Sequence, residues 1–264
     1  YVIFTANTLG KTITSAGKQF ANVRFNGSGG EWILQDNFKV TGTTEHYTGI
    51  FRFNGKSVDY GVVFNGDDGG SVKTLNYTGT DTVRVQYQYR LNTNASTILT
   101  IGGAVLLLQT SIATEMVLEG GGKTFGTLVI NQLNNSTSAN YILFQDNNNS
   151  FGDVIVKISN RAYLYLNNSN NIFGNVSVHY TGTTITSISE SVIYGTHTFG
   201  NFTMTTAGLQ PRLYCDQNNT FGTVSLPPGS QWRIANGRIQ SLKGLVANGD
   251  CQRIIYIYGS SSTA

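Results

Sequence analysis

Charged residues and long apolar runs are scarce in this sequence of 264 residues. Lys, Arg, Asp and Glu form only 12% of the chain, against about a quarter in an ordinary soluble domain, so Asn, Thr, Ser and Gly must solvate its surface. The 17 Lys and Arg are scattered and the net charge is +3, which excludes the clustered cations that nucleic acids require. No apolar run approaches the roughly 20 residues of a membrane-spanning helix. We therefore expect neither nucleic acid nor a membrane span.

Signals for α-helix are missing as well. No stretch combines helix-favouring residues with a period of 3.6 residues. Aromatic residues nonetheless reach 11% of the chain, and the small net charge argues against disorder. The sequence therefore predicts a folded protein without helices.

A Phe-Gly dipeptide recurs five times in the second half of the chain. The spacing between successive copies alternates between a longer and a shorter interval, and each of the two intervals occurs twice with the same length. Fixed periods of this size are typical of repeat architectures. The five dipeptides, which we expect to form a structural ladder, are Phe125-Gly126, Phe151-Gly152, Phe173-Gly174, Phe199-Gly200 and Phe221-Gly222.

Apolar residues occupy the third and fifth positions after each of these Phe residues, as Val154 and Val156 do after Phe151. Such alternation with small polar residues predicts a strand with one buried face. The Phe is out of phase with this alternation. A corner at the Phe-Gly step, where glycine adopts an unusual backbone angle, would turn the ring inward as well.

Each repeat holds a second strand motif, which Asn, Asp and Gly turn clusters follow in most copies. A unit of strand, loop, strand and turn cannot bury its own apolar face, but stacked units can. This pattern predicts an all-β fold, a parallel β-helix or β-solenoid with coils of about 22–26 residues. A propeller is the alternative, but its blades need roughly 40–50 residues. The second motifs are residues 141–144, 163–166, 192–194, 212–214 and 232–234.

We predict a single solenoid domain over residues 1–264, forming a segment of a longer chain. Residues 121–259 carry the regular coils, whereas residues 1–120 read either as degenerate coils or as an inserted antiparallel sheet. At about 24 residues per coil and about 4.8 Å between strands, the chain would form a rod roughly 50 Å long.

The repeat resembles a known architectural family. The motif Asn-x-Phe-Gly-x-Val-x-Val with Asn-rich turns, and the element from Gly10 to Phe20, are similar to repeats of bacterial surface adhesins and of bacteriophage tail-fibre and virion proteins. The resemblance covers roughly residues 10–40 and 120–259. It implies a pectate-lyase-like β-helix, but the same scaffold carries adhesins, spikes, lyases and hydrolases.

No catalytic residue emerges from the sequence. Glycosidases need two carboxylates about 5–9.5 Å apart, and the regular coils offer no column of acids. Asp67 and Asp68 lie in a Gly-rich segment that fits a calcium or catalytic loop, although an ordinary turn is the simpler explanation. The order of catalytic motifs in polygalacturonase-like enzymes is not found, so none of their residues is carried over.

Metal and cofactor sites are not expected either. His46, His179 and His197 each stand alone, without a second ligand at metal spacing, and we expect His179 at the surface. The three Gly-Lys-Thr/Ser matches lack the upstream glycine of a phosphate-binding loop. Cys215 and Cys251 are about two coils apart, and whether they are bridged stays open.

These features favour a non-enzymatic structural or adhesive rod of an extracellular appendage, on a virion or a bacterial surface. Its expected partners are further copies or neighbouring segments of the appendage, and a surface glycan. The alternative is a polysaccharide lyase or glycoside hydrolase on the same scaffold. Candidate glycan contacts, for which buried stacking is the competing explanation, are Tyr47, Tyr87, Tyr89, Tyr165 and Tyr180.

Overall fold

A computed structural model describes residues 1–66, 71–91, 97–112, 115–134, 139–159, 162–182, 189–208 and 210–260. These residues form strands and turns and include no helix. The chain divides into two compact units. The first unit is Tyr1–Gln109 with Val117–Val129, and the second is Thr110–Met116 with Ile130–Ala264.

Thirty strands are present in the described residues, and most are short. The first fifteen are β1 (Val2–Phe4), β2 (Lys11–Ile13), β3 (Gln19–Phe20), β4 (Val23–Leu34), β5 (Phe38–Val40), β6 (Thr43–Arg52), β7 (Val58–Asp59), β8 (Val63–Gly66), β9 (Lys73–Asn76), β10 (Thr82–Val85), β11 (Gln88–Leu91), β12 (Thr97–Thr100), β13 (Val105–Thr110), β14 (Glu115–Glu119) and β15 (Thr124–Phe125). The remaining fifteen are β16 (Leu128–Gln132), β17 (Asn140–Gln145), β18 (Ser150–Phe151), β19 (Val154–Ile158), β20 (Ala162–Leu166), β21 (Ile172–Phe173), β22 (Val176–Tyr180), β23 (Glu190–Ile193), β24 (Thr198–Phe199), β25 (Phe202–Thr206), β26 (Arg212–Cys215), β27 (Asn219–Leu226), β28 (Gln231–Ala235), β29 (Gln240–Ala247) and β30 (Tyr256–Ser260).

The first unit consists of stacked coils with parallel strands. On one face β4, β6, β8 and β11 pair in that order, and on the other β3, β5, β7 and β10 do so. Coil length varies, because the chain takes fewer residues to pass from Thr43 to its partner Val63 than from Val63 to its partner Gln88. Of the two alternatives for this region, the structure has the degenerate coils.

The second unit is wound in the same way and more regularly. Its face A consists of β17, β20, β23, β26, β28 and β30, each parallel to the next. Its face B consists of β19, β22, β25, β27 and β29. Along face A, Tyr141 pairs with Tyr163, and Tyr163 pairs with Glu190 after a longer coil. The predicted all-β parallel β-helix, a β-solenoid, is confirmed.

Aromatic rings of the Phe-Gly motif stack inside the second unit. Phe151, Phe173, Phe199 and Phe221 are between 1% and 4% exposed. Their ring centroids follow one another at 5.3, 5.1 and 4.7 Å, with planes within 11° of parallel. Phe125 is also buried, in the first unit, where its edge packs against Tyr89. The inward orientation of these Phe residues is as predicted.

The reason for glycine at the corner differs from the prediction. Gly174, Gly200 and Gly222 do not adopt a left-handed backbone. A Cβ atom on Gly174 would instead lie 2.7 Å from the carbonyl oxygen of Gly152, and one on Gly200 would lie 2.8 Å from that of Gly174. Glycine is therefore required because successive coils approach too closely at this corner for any side chain.

Buried polar groups in the first unit include three tyrosines. Tyr60, Tyr77 and Tyr89 are at most 1% exposed. The hydroxyl of Tyr77 lies 2.8 Å from that of Tyr89 and 3.4 Å from that of Tyr60, so each hydroxyl finds a partner inside the core, as burial demands.

Candidate functional site

Two of the five tyrosines predicted to contact a glycan are in the core, and for these the prediction is wrong. Tyr89 is 0% and Tyr180 is 1% exposed. Tyr180 continues the inward alternation of Val176 and Val178 along β22, and its hydroxyl lies 2.7 Å from that of Ser191. Both side chains pack and hydrogen-bond internally, so neither can reach a ligand.

Two further candidates, Tyr47 and Tyr87, are half-buried in the first unit. The ring of Tyr47 lies 4.9 Å from the guanidinium of Arg24, which pairs with Glu45 at 2.6 Å. Tyr47 therefore contacts an ion pair, Arg24–Glu45, that links two neighbouring coils.

The fifth candidate, Tyr165, belongs to a row of outward tyrosines on face A of the second unit. We call Tyr141, Tyr163, Tyr165 and Tyr194 the tyrosine face. The ring of Tyr165 lies 6.0 Å from that of Tyr141, 5.9 Å from that of Tyr163 and 5.7 Å from that of Tyr194. All these ring pairs are within 21° of parallel, so the row presents ordered aromatic rings and phenol hydroxyls.

Strand alternation places these rings outside. In β20, Ala162, Leu164 and Leu166 are buried, while Tyr163 and Tyr165 between them are half-exposed. Parallel register then sets Tyr163 beside Tyr141 in the preceding coil. Partial burial, together with the neighbouring phenols, raises the pKa of Tyr165, so its hydroxyl stays protonated as a hydrogen-bond donor.

A cluster of polar side chains continues face A next to these tyrosines. We call this group the polar cleft. It surrounds a small cavity of about 10 Å³ at the surface and is lined by Glu190, Arg212, Gln231, Arg233 and Tyr258. Glu190 pairs in register with Tyr163 on one side and with Arg212 on the other. The guanidinium of Arg233 lies 4.0 Å from the ring centroid of Tyr214, whose hydroxyl donates to Asp216 at 3.0 Å.

Several acidic side chains on the described coils pair with a cation or an amide. Asp153 accepts hydrogen bonds from the backbone and side chain of Asn175, at 3.2 and 3.0 Å, as its predicted outward position implies. Asp59 pairs with Arg84. Asp67 and Asp68, the candidate calcium or catalytic loop, lie outside the described residues.

Two of the three histidines are buried. Burial and the charge of Lys73 lower the pKa of His46 to about 3, and burial lowers that of His197 to about 4. His179 faces outward, as predicted, with Nδ1 2.8 Å from the hydroxyl of Thr205. Within the described ranges, no three His, Cys, Asp or Glu side chains come together as metal ligands.

Both cysteines are free thiols in this structure. Cys215 is buried in β26, whereas Cys251 is exposed. The spacing of the two cysteines left a disulfide bridge open, and in this structure they are not bridged.

A concavity of about 690 Å³ lies in the first unit. Among the described residues its lining consists of small polar and aliphatic side chains, and these offer neither an aromatic ring nor a charge to a ligand. The lining residues are Asn26, Ser28, Gly29, Gly30, Thr48, Gly49, Ile50, Ser71, Val72 and Thr74.

Sequence reasoning missed Tyr141, Tyr163 and Tyr194, as well as the polar cleft. The signal was present, because each tyrosine adjoins an inward Ile or Leu in the second strand motif. The described residues hold no helix suited to crossing a lipid bilayer. Compared with family models, curated proteins and solved structures, the chain has no significant match.

Proposed function

We propose that this chain is a non-enzymatic structural and adhesive solenoid of an extracellular appendage, on a virion or a bacterial surface, and that it binds carbohydrate through the tyrosine face. The observation that carries the proposal is the row of near-parallel rings 5.6 to 6.0 Å apart that Tyr141, Tyr163 and Tyr165 on adjacent strands form with Tyr194, directly after β23.

Tyrosine suits a sugar because its ring is apolar and its hydroxyl is a hydrogen-bonding group. A pyranose has the same dual character, with C–H faces and hydroxyl edges. The rings of the tyrosine face are held by one another and by the strands beneath them, so little side-chain entropy remains to be lost on binding.

The surroundings of the acids support the non-enzymatic part of the proposal. Hydrolysis of a glycosidic bond uses two carboxylates on either side of it. Glu190, the acid nearest the tyrosine face in register, lies between Tyr163 and Arg212. Asp153 is hydrogen-bonded to Asn175.

A glycan array containing neutral and acidic oligosaccharides tests the binding proposal. We expect the intact chain to bind at least one glycan class, and the double variant Tyr141→Ser/Tyr165→Ser to lose at least tenfold in affinity for it. Tyr47→Ser, at a half-buried tyrosine in the other unit, is the matched control and should bind normally. Unchanged binding by a folded double variant would mean that these rings serve only to stack.

Incubation of the bound glycan with the chain tests the non-enzymatic proposal. We expect no release of reducing ends or unsaturated products. Release that survives purification to homogeneity would indicate a polysaccharide lyase or glycoside hydrolase instead.

A further inference from the structure

We infer that the polar cleft binds the carboxylate of an acidic sugar, so that the ligand of face A is a carboxylated polysaccharide. This inference rests on the proposed carbohydrate binding and specifies its substrate class. It starts from the position of the cleft, which occupies strands β23, β26, β28 and β30, directly after the strands that carry Tyr141, Tyr163 and Tyr165.

The cleft residues lie in two adjacent columns of face A. Parallel register aligns Glu190, Arg212 and Gln231 in one column, and Arg233 with Tyr258 in the other. A ligand lying along the face would therefore pass from the tyrosine rings to two guanidinium groups without leaving the surface.

Both arginines of the cleft are outside the ion pairs of the described coils. Five other arginines in those coils form an ion pair with an acid. Glu190 lies beside Arg212 in register but forms no ion pair with it. A protein surface with few charges thus holds two guanidiniums outside ion pairs in adjacent coils. The pairs are Arg24–Glu45, Arg52–Glu31, Arg84–Asp59, Arg90–Glu119 and Arg253–Asp250.

Arg233 is also held in a fixed orientation. Its guanidinium stacks on the Tyr214 ring, and the hydrogen bond from that phenol to Asp216 holds the ring in place. The Nε of Arg233 is buried without a hydrogen-bond partner in the described residues, and carboxylates match a planar guanidinium with two parallel hydrogen bonds.

The charge of the cleft favours a chain with one carboxylate per sugar over a more densely charged polyanion. Arg212 and Arg233 contribute two positive charges and Glu190 one negative charge, so the net charge is +1. Glu190 and Gln231 can accept hydrogen bonds from sugar hydroxyls, while the guanidiniums bind the carboxylate. A heavily sulfated chain would bring more negative charge against Glu190 than a chain with one carboxylate per sugar.

The decisive probe is a pair of polymers that differ only at the carboxyl group, namely oligogalacturonate and its full methyl ester. We expect calorimetry at low salt to show the acid binding at least tenfold more tightly than the ester, because charge-assisted hydrogen bonds are strong. Raising the ionic strength should weaken binding of the acid and leave the ester nearly unaffected.

The double variant Arg212→Gln/Arg233→Gln should reduce binding of the acid to the level of the ester without changing binding of the ester. Arg253→Gln, which breaks an exposed ion pair elsewhere in the second unit, is the matched control and should behave as the unmodified chain. Circular dichroism establishes that both variants are folded.

Equal binding of acid and ester would overturn the carboxylate inference while leaving sugar binding by the tyrosine face intact. Heparin binding as tightly as oligogalacturonate would also overturn it, since charge alone would then explain the affinity. Absence of binding to both polymers would also overturn the carboxylate inference. The neutral glycans of the array would still test carbohydrate binding by the tyrosine face separately.

Discussion

The main-chain N–H of His197 donates a hydrogen bond of 2.8 Å to Oδ1 of Asn219 in the next coil. The N–H of Asn149 donates in the same way to Asn171, also at 2.8 Å. Register between β21 and β24 aligns Asn171 with His197, so these four buried residues form one internal column. His197 interrupts the chain of hydrogen bonds along this column, because an imidazole has no amide oxygen to accept a hydrogen bond from the N–H of Asn171.

We predict that His197→Asn makes the second unit more resistant to acid. Burial lowers the pKa of His197 from 6.5 to about 4 in the folded state. Above pH 6.5 both states are neutral and stability does not depend on this group. As the pH falls below 6.5 the unfolded state binds a proton that the folded state does not, so stability is lost by about 1.4 kcal/mol per pH unit until about pH 4.

Urea unfolding between pH 7 and pH 4 measures this effect. In a Trp32→Phe background, the fluorescence of Trp232 reports the unit that contains His197. At pH 7 the variant should differ little from the parent, because lost contacts with Phe173 and Phe199 offset the new hydrogen bond. Parallel stability curves for parent and variant over this pH range would contradict the prediction.

The close approach of coils at the Phe-Gly corner predicts that Gly200→Ala is destabilising. The added Cβ would lie 2.8 Å from the carbonyl oxygen of Gly174, and relieving that overlap requires a backbone shift that costs about 1–3 kcal/mol. Chemical denaturation measures the loss. Gly259→Ala is the control, because nothing lies within 4 Å of its Cβ position, and its effect should stay within about 0.5 kcal/mol. Equal effects at the two positions would refute this explanation of the corner.

In the first unit, Tyr77→Phe should cost more stability than Tyr60→Phe. Removing the central hydroxyl deprives both Tyr60 and Tyr89 of a partner, and a buried unsatisfied group costs about 1–3 kcal/mol. Tyr60→Phe removes only the longer contact of 3.4 Å and leaves the one of 2.8 Å in place. Unfolding followed by Trp32 in a Trp232→Phe background gives both values, and the reverse order would contradict the proposed hydrogen-bond chain.

The two thiols should differ sharply in reactivity. Burial raises the pKa of Cys215 to about 12, and only the thiolate is reactive, whereas Cys251 is exposed. An aromatic disulfide reagent should therefore titrate one thiol per native chain and two per unfolded chain, without added reductant. Finding none in either state would indicate a disulfide bridge.

Repetition made the fold predictable from the sequence. The interval from Phe151 to Phe173, and the longer one from Phe173 to Phe199, are each one coil of the structure, because these residues are partners in register. In a solenoid, residues that are one coil length apart in the sequence therefore stack on one another. Where the repeat decays, as before Phe125, the sequence left two arrangements open, and only strand pairing distinguished them.

The candidate site was much less predictable. Tyr165 was singled out correctly as an outward tyrosine, but Tyr180 was not recognised as inward despite its even spacing from Val176 and Val178. The inward Ile193 marked Tyr194 as outward, but the sequence could not show that Tyr194 stacks on Tyr165 or Arg233 on Tyr214. The coils that separate these pairs differ in length. One residue more or less in a loop moves a side chain to the other face of its strand.

The amino-acid sequence alone determined the winding of this protein, because alternating apolar residues and regularly spaced Phe-Gly corners can be buried together only in stacked parallel coils. Tertiary structure decided which residues of successive coils became neighbours: His197 in a column of asparagines, tyrosines in a row, and two arginines beside a single glutamate. Most of those neighbours are a full coil apart in the chain, and register between strands, which loop lengths set, brings them together.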